Sequence, residues 1–127
     1  MIASDIMTRK VATIQPEASA QEAAQLLDQR RISGAPVVDA DERIIGVITE
    51  ADIISKVDRE GLRVSDIMSH NVIAISEETP VGEIAALLTE RKIKRVPVVR
   101  DGKLVGIVSR ADIVHAVAQG HLIMREW

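Results

Sequence analysis

Residues 46–52 read Gly-Val-Ile-Thr-Glu-Ala-Asp, and residues 106–112 read Gly-Ile-Val-Ser-Arg-Ala-Asp. In both stretches an apolar, β-branched segment leads into a hydroxyl residue, and an aspartate follows three positions later. β-branched residues favour strands, whereas serine or threonine with an acidic residue three positions on is typical of a helix start. Each stretch therefore predicts the junction between a strand and a helix, and the chain contains this junction twice.

The duplication extends over most of the 127 residues. Asp5-Ile6-Met7 recurs 61 residues later as Asp66-Ile67-Met68, and Pro36-Val37-Val38 recurs as Pro97-Val98-Val99. A one-residue deletion in the second copy shortens the offset of the junction to 60. A repeat of this length is longer than a solenoid unit and shorter than a comfortable independent domain. We therefore expect two copies of one unit, packed about a pseudo-two-fold axis, with two equivalent clefts that are good ligand sites.

Composition argues against several classes of protein. Hydrophobic residues make up 46% of the chain, but Trp127 is the one aromatic residue, so the repeats lack the side chains on which single-stranded nucleic acids stack. A net charge of −3 argues against a nucleic-acid interface, and the lack of cysteine excludes disulfides and thiolate chemistry. No apolar run approaches the roughly 18 residues of a membrane span, and the first residues given do not show the basic-then-apolar pattern expected of a signal peptide. We expect a soluble, cytoplasmic protein without membrane contact.

Periodicity predicts the elements of each repeat. Each copy opens with a short turn, at 4–7 and 65–68, followed by a brief strand-like segment, at 11–14 and 72–75. A proline-containing apolar strand, an acidic turn and a second β-branched strand then follow closely enough to predict a hairpin. The hydroxyl residue of the duplicated junction opens a final helix.

Between the first strand and the hairpin, each copy carries a helix start. Ser19 with Glu22 three residues later is typical of a capping box, and Thr79 with Pro80 predicts an N-cap followed by proline at the first helical position. The predicted order is strand, helix, strand, strand, helix, twice. We therefore expect an α+β fold of two β-α-β-β-α repeats.

The repeats and their connections follow from this order. We assign the first repeat to residues 1–57 and the second to residues 65–118. A short charged linker at 58–64 joins them, and a tail at 119–127 carries the tryptophan. Since the tail lies outside the repeats, we expect it to cover the module, contact a partner or lead into a further domain.

The duplicated hydroxyl and aspartate admit two interpretations. In the first, Thr49 with Asp52 and Ser109 with Asp112 only start helices, as capping boxes. In the second they bind a nucleotide, because N–H groups at a helix start donate to a phosphate and an aspartate accepts both hydroxyls of a ribose. We favour the second, because aspartate is one methylene shorter than the usual glutamate and is not expected to reach back to the N-cap amide.

Three motifs, present twice and in the same order, resemble the cystathionine β-synthase (CBS) domain family. They are the Asp-Ile-Met opener followed by threonine or serine, the Pro-Val-Val strand, and the duplicated junction that ends in Ala-Asp-Ile, and together they cover residues 4 to 117. The chain resembles a tandem pair of CBS domains, a Bateman module. The resemblance implies a disc-like pseudo-symmetric pair of repeats that binds adenosyl ligands such as AMP, ADP, ATP or S-adenosylmethionine in the clefts.

The same resemblance implies roles for particular residues. Asp52 and Asp112 resemble the acceptors of the ribose hydroxyls, and Thr49 and Ser109 resemble the hydroxyls beside the phosphate. In such domains the adenine is framed by backbone of the proline-containing strand and of the first strand, here Ala35, Pro36 and Val37 with Thr13 and Ile14 in one copy, and Val96, Pro97 and Val98 with Ala74 and Ile75 in the other. Alanine in place of threonine removes one hydroxyl from the second copy, so the clefts are expected to differ.

Charge also distinguishes the copies. The second has Arg95 where the first has Gly34, and Arg110 where the first has Glu50. Both arginines are either part of a solvated face or partners of a phosphate near Ser109, whereas Glu50 would repel a phosphate at the first-copy hydroxyl. With pseudo-two-fold symmetry, either cation is also placed to reach the phosphate of the neighbouring cleft.

No other constellation indicates catalysis or a metal. His70, His115 and His121 lack metal-ligand spacing, and neither a glycine-rich phosphate loop nor a nucleophile beside an obvious base occurs. We expect a regulatory module without catalytic activity or a required cofactor. It would sense an adenine nucleotide or S-adenosylmethionine, chiefly at the second-copy motif, form a homodimer and act on an unknown partner or fused domain. A dimerisation or interaction scaffold with vestigial clefts is the alternative.

Overall fold

The computed structural model describes residues 1–122, and the end of the predicted tail, including Trp127, lies outside the described residues. In chain order the elements are α1 (Ala3–Ile6), α2 (Ala20–Arg30), β1 (Gly34–Val38), β2 (Ile44–Thr49), α3 (Glu50–Ile54), α4 (Val64–Ile67), β3 (Ile75–Ser76), α5 (Val81–Arg91), β4 (Arg95–Arg100), β5 (Lys103–Ser109) and α6 (Arg110–Ala118). The mixture confirms the α+β class. Within residues 1–122, no helix combines the length and apolar character that a membrane crossing requires.

These elements form two compact units that do not coincide with the two halves of the chain. Unit 1 combines Met1–Val11 with the chain from Ile73 onwards, and unit 2 is Ala12–Val72. Helix α1, at the start of the first repeat, therefore belongs with the sheet of the second repeat. Helix α4, at the start of the second repeat, belongs with the sheet of the first.

In unit 2, β1 and β2 form the predicted antiparallel hairpin. Gly34 lies opposite Thr49 and Ala35 opposite Ile48. Because successive side chains of a strand point to opposite faces, Ala35, Val37 and Ile48 share the face that is covered by helices. Helices α2 and α4 complete this core with Ala23, Leu27, Val64 and Ile67.

In unit 1, the strands lie in the order β3-β4-β5, with β3 parallel and β5 antiparallel to β4. Arg95 lies opposite Ser109 and Val96 opposite Val108. The valines face the core, so the arginine and the serine share the other face of the sheet. The core of the unit consists of Ala3, Met7, Ile75, Ile84, Leu88, Val96, Val98 and Val108.

The two openers, for which the sequence predicts turns, are short helices. In α1 the amide of Ile2 donates to Asp5 Oδ2 at 2.8 Å, and in α4 the amide of Arg63 donates to Asp66 Oδ2 at 2.8 Å. The turn prediction was wrong because this carboxylate satisfies one of the free N–H groups at the start of the segment, which stabilises a single helical turn.

Each opener ends in a methionine that lies against a glycine of the hairpin. A Cβ atom at Gly106 would come within 2.7 Å of Met7 Sδ, and one at Gly46 within 2.8 Å of the carbonyl oxygen of Ser69. Close approach of another segment explains why glycine begins both copies of the duplicated junction. The methionine of each Asp-Ile-Met motif therefore packs directly against the glycine that begins a duplicated junction.

The first strand of each repeat is shorter than expected. In the segment 11–14, Ile14 alone pairs, through a parallel bridge to Val37. The segment predicted at 72–75 contributes only its last residue to the two-residue strand β3. Each segment lies at the edge of a sheet and crosses between the two units, so it pairs over one or two residues only.

Helix starts were predicted correctly in one copy and missed by one residue in the other. Ser19 caps α2, with its Oγ accepting from the amide of Glu22 at 3.0 Å, as the capping box predicts. In α5 the N-cap is Pro80 rather than Thr79. Thr79 Oγ1 instead accepts from the amide of Ser76 at 3.1 Å, which holds the turn before the helix.

Candidate functional site

The hydroxyl and aspartate of each duplicated junction are joined by three hydrogen bonds. In unit 2, Thr49 donates to Asp52 Oδ2 through its amide at 2.9 Å and its hydroxyl at 3.0 Å, and accepts from the amide of Asp52 at 3.3 Å. In unit 1, the matching distances between Ser109 and Asp112 are 2.8, 3.1 and 3.2 Å. The junctions are therefore true capping boxes.

The expectation that aspartate is too short for this role was wrong. Thr49 and Ser109 both have extended backbone, with φ of −126° and −110°. This conformation turns the N-cap amide over the first turn, so that a carboxylate one methylene shorter than glutamate still reaches it. The capping interpretation and the ligand interpretation are consequently not exclusive, because a carboxylate has two oxygens.

Both capping boxes use the same oxygen, Oδ2, and leave Oδ1 for another partner. In unit 1, the hydroxyl of Thr8 lies 3.5 Å from Asp112 Oδ1. Thr8 is held there by paired backbone hydrogen bonds to Ile107 of β5, at 2.8 and 2.9 Å. The acceptor oxygen of Asp112 therefore faces a second hydroxyl, which comes from the opener of the other repeat.

Unit 2 has the same backbone arrangement with different side-chain bonds. Ser69 makes paired backbone hydrogen bonds to Val47 of β2 at 2.9 and 3.0 Å, as Thr8 does in unit 1. Its Oγ accepts from the amide of Asn71 at 3.3 Å. The two aspartates thus lie in related but unequal surroundings.

Charge around the two aspartates differs more strongly. In unit 1, Arg95 lies across the hairpin from Ser109, and Arg110 is exposed at the start of α6, with its Nε donating to the carbonyl oxygen of Ile93 at 3.2 Å. In unit 2, glycine lies across from Thr49 and Glu50 starts α3. The structure therefore keeps the charge difference that the sequence predicts, next to the hydroxyl and aspartate.

The openers add to this difference. Thr8 is followed by Arg9 and Lys10, both exposed, whereas Ser69 is followed by His70 and Asn71. Unit 1 therefore places basic residues on the hairpin, on the helix start and after the opener. Electrostatic attraction of an anionic ligand is consequently expected at unit 1 and not at unit 2.

The residues predicted to frame an adenine come together within each unit. In unit 2, the amide of Ile14 donates to the carbonyl oxygen of Pro36 at 3.2 Å, and Thr13 is exposed beside it. In unit 1, Ile75 pairs with Val98. The remaining side chains of the set are buried, at Ala35, Val37, Val96 and Pro97, with Ala74 exposed. Since most of these side chains are buried, a ligand at these strands would contact mainly their backbone.

Each unit also has a cavity, and the one in unit 1 lies beside these residues. Unit 1 has a cavity of about 480 Å³ beside Ala74 and Ile75, lined also by Glu83 and Leu87 of α5. Unit 2 has one of about 490 Å³ between α2 and α3. Neither cavity is lined by the capping-box hydroxyl or aspartate, so neither contains the predicted acceptor of the ribose hydroxyls.

Sequence reasoning missed Thr8 and Ser69 as site residues. Their signal was present, because a hydroxyl residue follows Asp-Ile-Met in both copies. What the sequence could not supply was their location against the junction of the other repeat. His70, His115 and His121 are exposed, and among residues 1–122 no group of acidic residues, histidine or cysteine is arranged to hold a metal ion.

Comparison with known proteins gives this arrangement a context. The sequence matches the CBS domain family twice, over residues 3–59 and 64–119. The chloroplastic CBS domain-containing protein CBSX1 of Arabidopsis thaliana is 30% identical over 149 residues, covering 91% of this chain and 63% of that protein. The chain spans less than two thirds of the length of the first curated relatives it matches, from 23% to 63%.

Solved structures match over nearly the whole chain. The CBS domain pair of protein MJ0100, in complex with 5'-methylthioadenosine and S-adenosyl-L-methionine, has a TM-score of 0.83 at 31% identity and covers 94% of this chain and 98% of that one. CBSX2 in complex with AMP has a TM-score of 0.87 at 28% identity and covers 95% and 98%. With both repeats matched, this chain belongs to the CBS domain family and carries two CBS repeats.

Proposed function

We propose that the chain is a regulatory module that senses an adenosyl ligand and has no catalytic activity of its own. One observation carries the proposal: in both repeats the capping box occupies Oδ2 and leaves Oδ1, so Asp52 and Asp112 keep an acceptor for a ribose hydroxyl. The complexes of MJ0100 with 5'-methylthioadenosine and S-adenosylmethionine, and of CBSX2 with AMP, support this class of ligand.

In unit 1, the ribose would lie against Asp112, between the hydroxyls of Ser109 and Thr8. Hydroxyl groups donate and accept, so both can adjust to a ribose or a phosphate oxygen. Backbone of Val96–Val98 and of Ala74 and Ile75 would frame the adenine. The same roles in unit 2 fall to Asp52, Thr49 and Ser69, with Ala35–Val37, Thr13 and Ile14.

A ligand that carries a phosphate, such as AMP, ADP or ATP, would prefer unit 1. Arg95 and Arg110 attract a phosphate beside Ser109, because hydrogen bonds between guanidinium and phosphate are charge-assisted. In unit 2, Glu50 repels a phosphate and suits a neutral or cationic adenosyl ligand. S-adenosylmethionine, whose sulfonium is positively charged, is such a ligand.

Each opener packs in the unit that holds the sheet of the other repeat, and this connection would allow ligand binding in one unit to affect the conformation of the other. Thr8 lies beside Asp112 of the proposed unit 1 site, and the chain reaches Ile14, which pairs with Val37 in unit 2, within six residues. A ligand that binds more tightly when the opener is ordered would shift the balance between conformations of the connected units. We propose that this conformational change is transmitted to the second copy of a homodimer, to a fused domain or to a partner protein.

Isothermal titration calorimetry with AMP, S-adenosylmethionine and adenosine tests the proposal on the unmodified chain, Asp112→Asn and Asp52→Asn. AMP should bind the unmodified chain and Asp52→Asn, and should bind Asp112→Asn at least about tenfold more weakly, the loss expected when a hydrogen bond to a charged acceptor is removed. Binding of none of the three ligands to the unmodified chain would favour the dimerisation scaffold instead.

A further inference from the structure

The cavity of unit 1 is an open groove between α5 and the β3 edge of the sheet. Ala74 and Ile75 line it from the strand, and Ala86 and Leu87 line it from the helix, so much of its surface is apolar. Its volume of about 480 Å³ lies in the range of sites that bind small molecules. We call this cavity the α5 groove.

Two carboxylates lie along the α5 groove. Glu83 and Glu90 are seven positions apart in α5, and seven residues return nearly to the same face of a helix after a rise of about 10 Å. Leu87 lies between them. Among residues 1–122, neither carboxylate takes part in a hydrogen bond or an ion pair. The groove therefore presents two negative charges about 10 Å apart, with an apolar surface between them.

Helix stability accounts for one of these carboxylates and not for the other. Glu83 lies in the first turn of α5, where the helix dipole favours a negative charge. Glu90 lies in the last turn, where the same dipole disfavours one. A cation bound between the two would offset this unfavourable charge.

The duplication supplies a comparison within the chain. In α2 the residues equivalent to Glu83, Ala86 and Glu90 are Glu22, Gln25 and Gln29. The carboxylate of Glu22 accepts from the amide of Ser19 at 3.3 Å, in the capping box. Unit 2 therefore has one carboxylate along this face, already bonded, and a glutamine where unit 1 has a small alanine. Since α2 packs on its own sheet without an acidic groove, the repeat fold does not require one.

We propose that the α5 groove binds an aliphatic polyamine such as spermidine. One ammonium group would pair with each glutamate, because hydrogen bonds between ammonium and carboxylate are charge-assisted, and the methylene chain would lie against Leu87. A ligand phosphate does not suit the groove, since both carboxylates repel it. The groove is therefore a site separate from the proposed adenosyl site, although Ala74 and Ile75 border both.

The edge of the sheet beside the groove is not open to an added strand of a partner protein. The amide of Ser76 donates to Thr79 Oγ1 at 3.1 Å, and the carbonyl oxygen of Ser76 accepts from the amide of Thr79 at 3.2 Å. A peptide that extends a sheet needs such backbone groups as partners. A polyamine needs none of them, because its own ammonium groups are the donors.

An NMR titration of the whole chain with spermidine, without nucleotide, tests the inference. We expect saturable shifts of the amide signals of residues 83–90. Glu90→Gln should weaken binding by roughly two- to fivefold, as expected for an exposed ion pair. Ala86→Gln installs the residue of unit 2 in the groove and should weaken binding at least as much. Glu60→Gln makes the same charge change at an exposed residue outside the groove and should leave the affinity unchanged.

Equal losses in Glu60→Gln and Glu90→Gln would show only general attraction of a cation to a negatively charged protein, and would overturn the inference. Diaminooctane carries the same charge as putrescine on a longer chain and should bind more tightly, since putrescine is too short to reach both glutamates. Equal affinity of the two diamines would contradict the paired contact. A lysine-containing peptide that displaces spermidine at lower concentration would assign the groove to a partner protein instead.

One further variant separates this site from the proposed adenosyl site. Asp112→Asn should bind spermidine as tightly as the unmodified chain does, because Asp112 does not line the α5 groove. Loss of spermidine binding in Asp112→Asn would assign the amine to the adenosyl site and overturn the inference.

Discussion

Thr8 lies beside Asp112, with its hydroxyl oxygen 3.5 Å from Asp112 Oδ1, although 104 residues separate the two in the chain. The contact joins the opener of the first repeat to the helix start of the second. It exists because α1 completes unit 1 and not the unit formed by the rest of its own repeat. The candidate site in unit 1 therefore draws on both repeats, which a description by consecutive domains does not reveal.

Asp112 is expected to stabilise the fold through Oδ2, which accepts in the capping box, and to bind the ligand through Oδ1. Asp112→Ala should lower the free energy of unfolding by about 1 kcal/mol, because the capping box is lost, and should also abolish binding at unit 1. Asp112→Asn can still accept from the Ser109 amide, so it should retain most of the stability while binding falls. Thermal melts and calorimetry on the same samples measure the two effects.

Asp5 provides a matched control within the same unit. Its carboxylate accepts from the amide of Ile2 at 2.8 Å, as that of Asp112 accepts from the amide of Ser109, but it does not belong to the proposed site. Asp5→Ala should therefore reduce stability, and it should weaken binding far less than Asp112→Ala does, because it acts on the ligand only through the opener that carries Thr8. Equal losses of binding in Asp5→Ala and Asp112→Ala would show that the aspartate acts on the ligand only through folding.

The charge difference between the units predicts ligand preference. Arg110→Glu should weaken AMP far more than adenosine, and AMP binding should weaken with salt because charges are screened over about 10 Å at 0.1 M. Glu50→Arg is the reciprocal change and should strengthen AMP binding at unit 2. Calorimetric titrations at two salt concentrations give these affinities. Two identical sites, indifferent to salt and to both variants, would show that the basic residues are only a solvated surface.

The glycines of the duplicated junction are expected to be intolerant of a side chain. Gly46→Ala places a Cβ 2.8 Å from the backbone oxygen of Ser69, and Gly106→Ala places one 2.7 Å from Met7 Sδ. A Cβ at Gly106 would also lie 3.0 Å from the backbone oxygen of Thr8, so both variants meet a backbone atom. Such overpacking costs about 1–3 kcal/mol, and the larger loss is expected at Gly46, where the backbone oxygen is closer. Urea denaturation of both variants gives the comparison.

Gly82 is the control for the glycine series. It lies in α5, and apart from the backbone of its own helix no atom of the described residues would come within 4 Å of a Cβ at this position. Gly82→Ala should stabilise the chain by about 0.4–1 kcal/mol, because alanine loses less backbone entropy in a helix. If all three variants lost stability equally, the contact between opener and glycine would not be the cause.

An exposed ion pair gives the chain a predictable response to acid. Arg100 donates to Glu77 through Nε and through Nη2, the latter at 2.8 Å from Oε2. This hydrogen bond, aided by the charge of Arg100, holds the pKa of Glu77 below its usual range. The pair therefore contributes stability above the pKa that Glu77 has in the unfolded chain, and loses it as the pH falls through the lowered folded value. Arg100→Gln should raise the pKa of Glu77 in an NMR titration, whereas Lys103→Gln should not.

Local pattern was sufficient for the hairpins, for the capping box of Ser19 and for the helix starts at Thr49 and Ser109. These features depend on residues a few positions apart, so the sequence displays them directly. The motif also indicated that the hydroxyl and the aspartate of the candidate site contact each other in the folded chain.

Local pattern could not predict that α1 belongs with the sheet of the second repeat and α4 with the sheet of the first. Both openers end in Ile-Met, and Gly46 and Gly106 offer each methionine the same contact, so the two pairings look equivalent in sequence. The choice is made by tertiary packing of the whole unit. The location of Thr8 against Asp112 follows from that choice and was missed with it.

Thermal denaturation with a panel of AMP, ADP, ATP and S-adenosylmethionine tests the central claim most directly. A ligand that binds only the folded chain adds about 2.7 kcal/mol at 100 times its dissociation constant, which for a chain of 127 residues should raise the melting temperature by on the order of ten degrees. We expect such a shift with at least one of the four ligands, and its loss in the Asp52→Asn and Asp112→Asn double variant. No shift with any of the four at millimolar concentration would contradict ligand sensing by this chain.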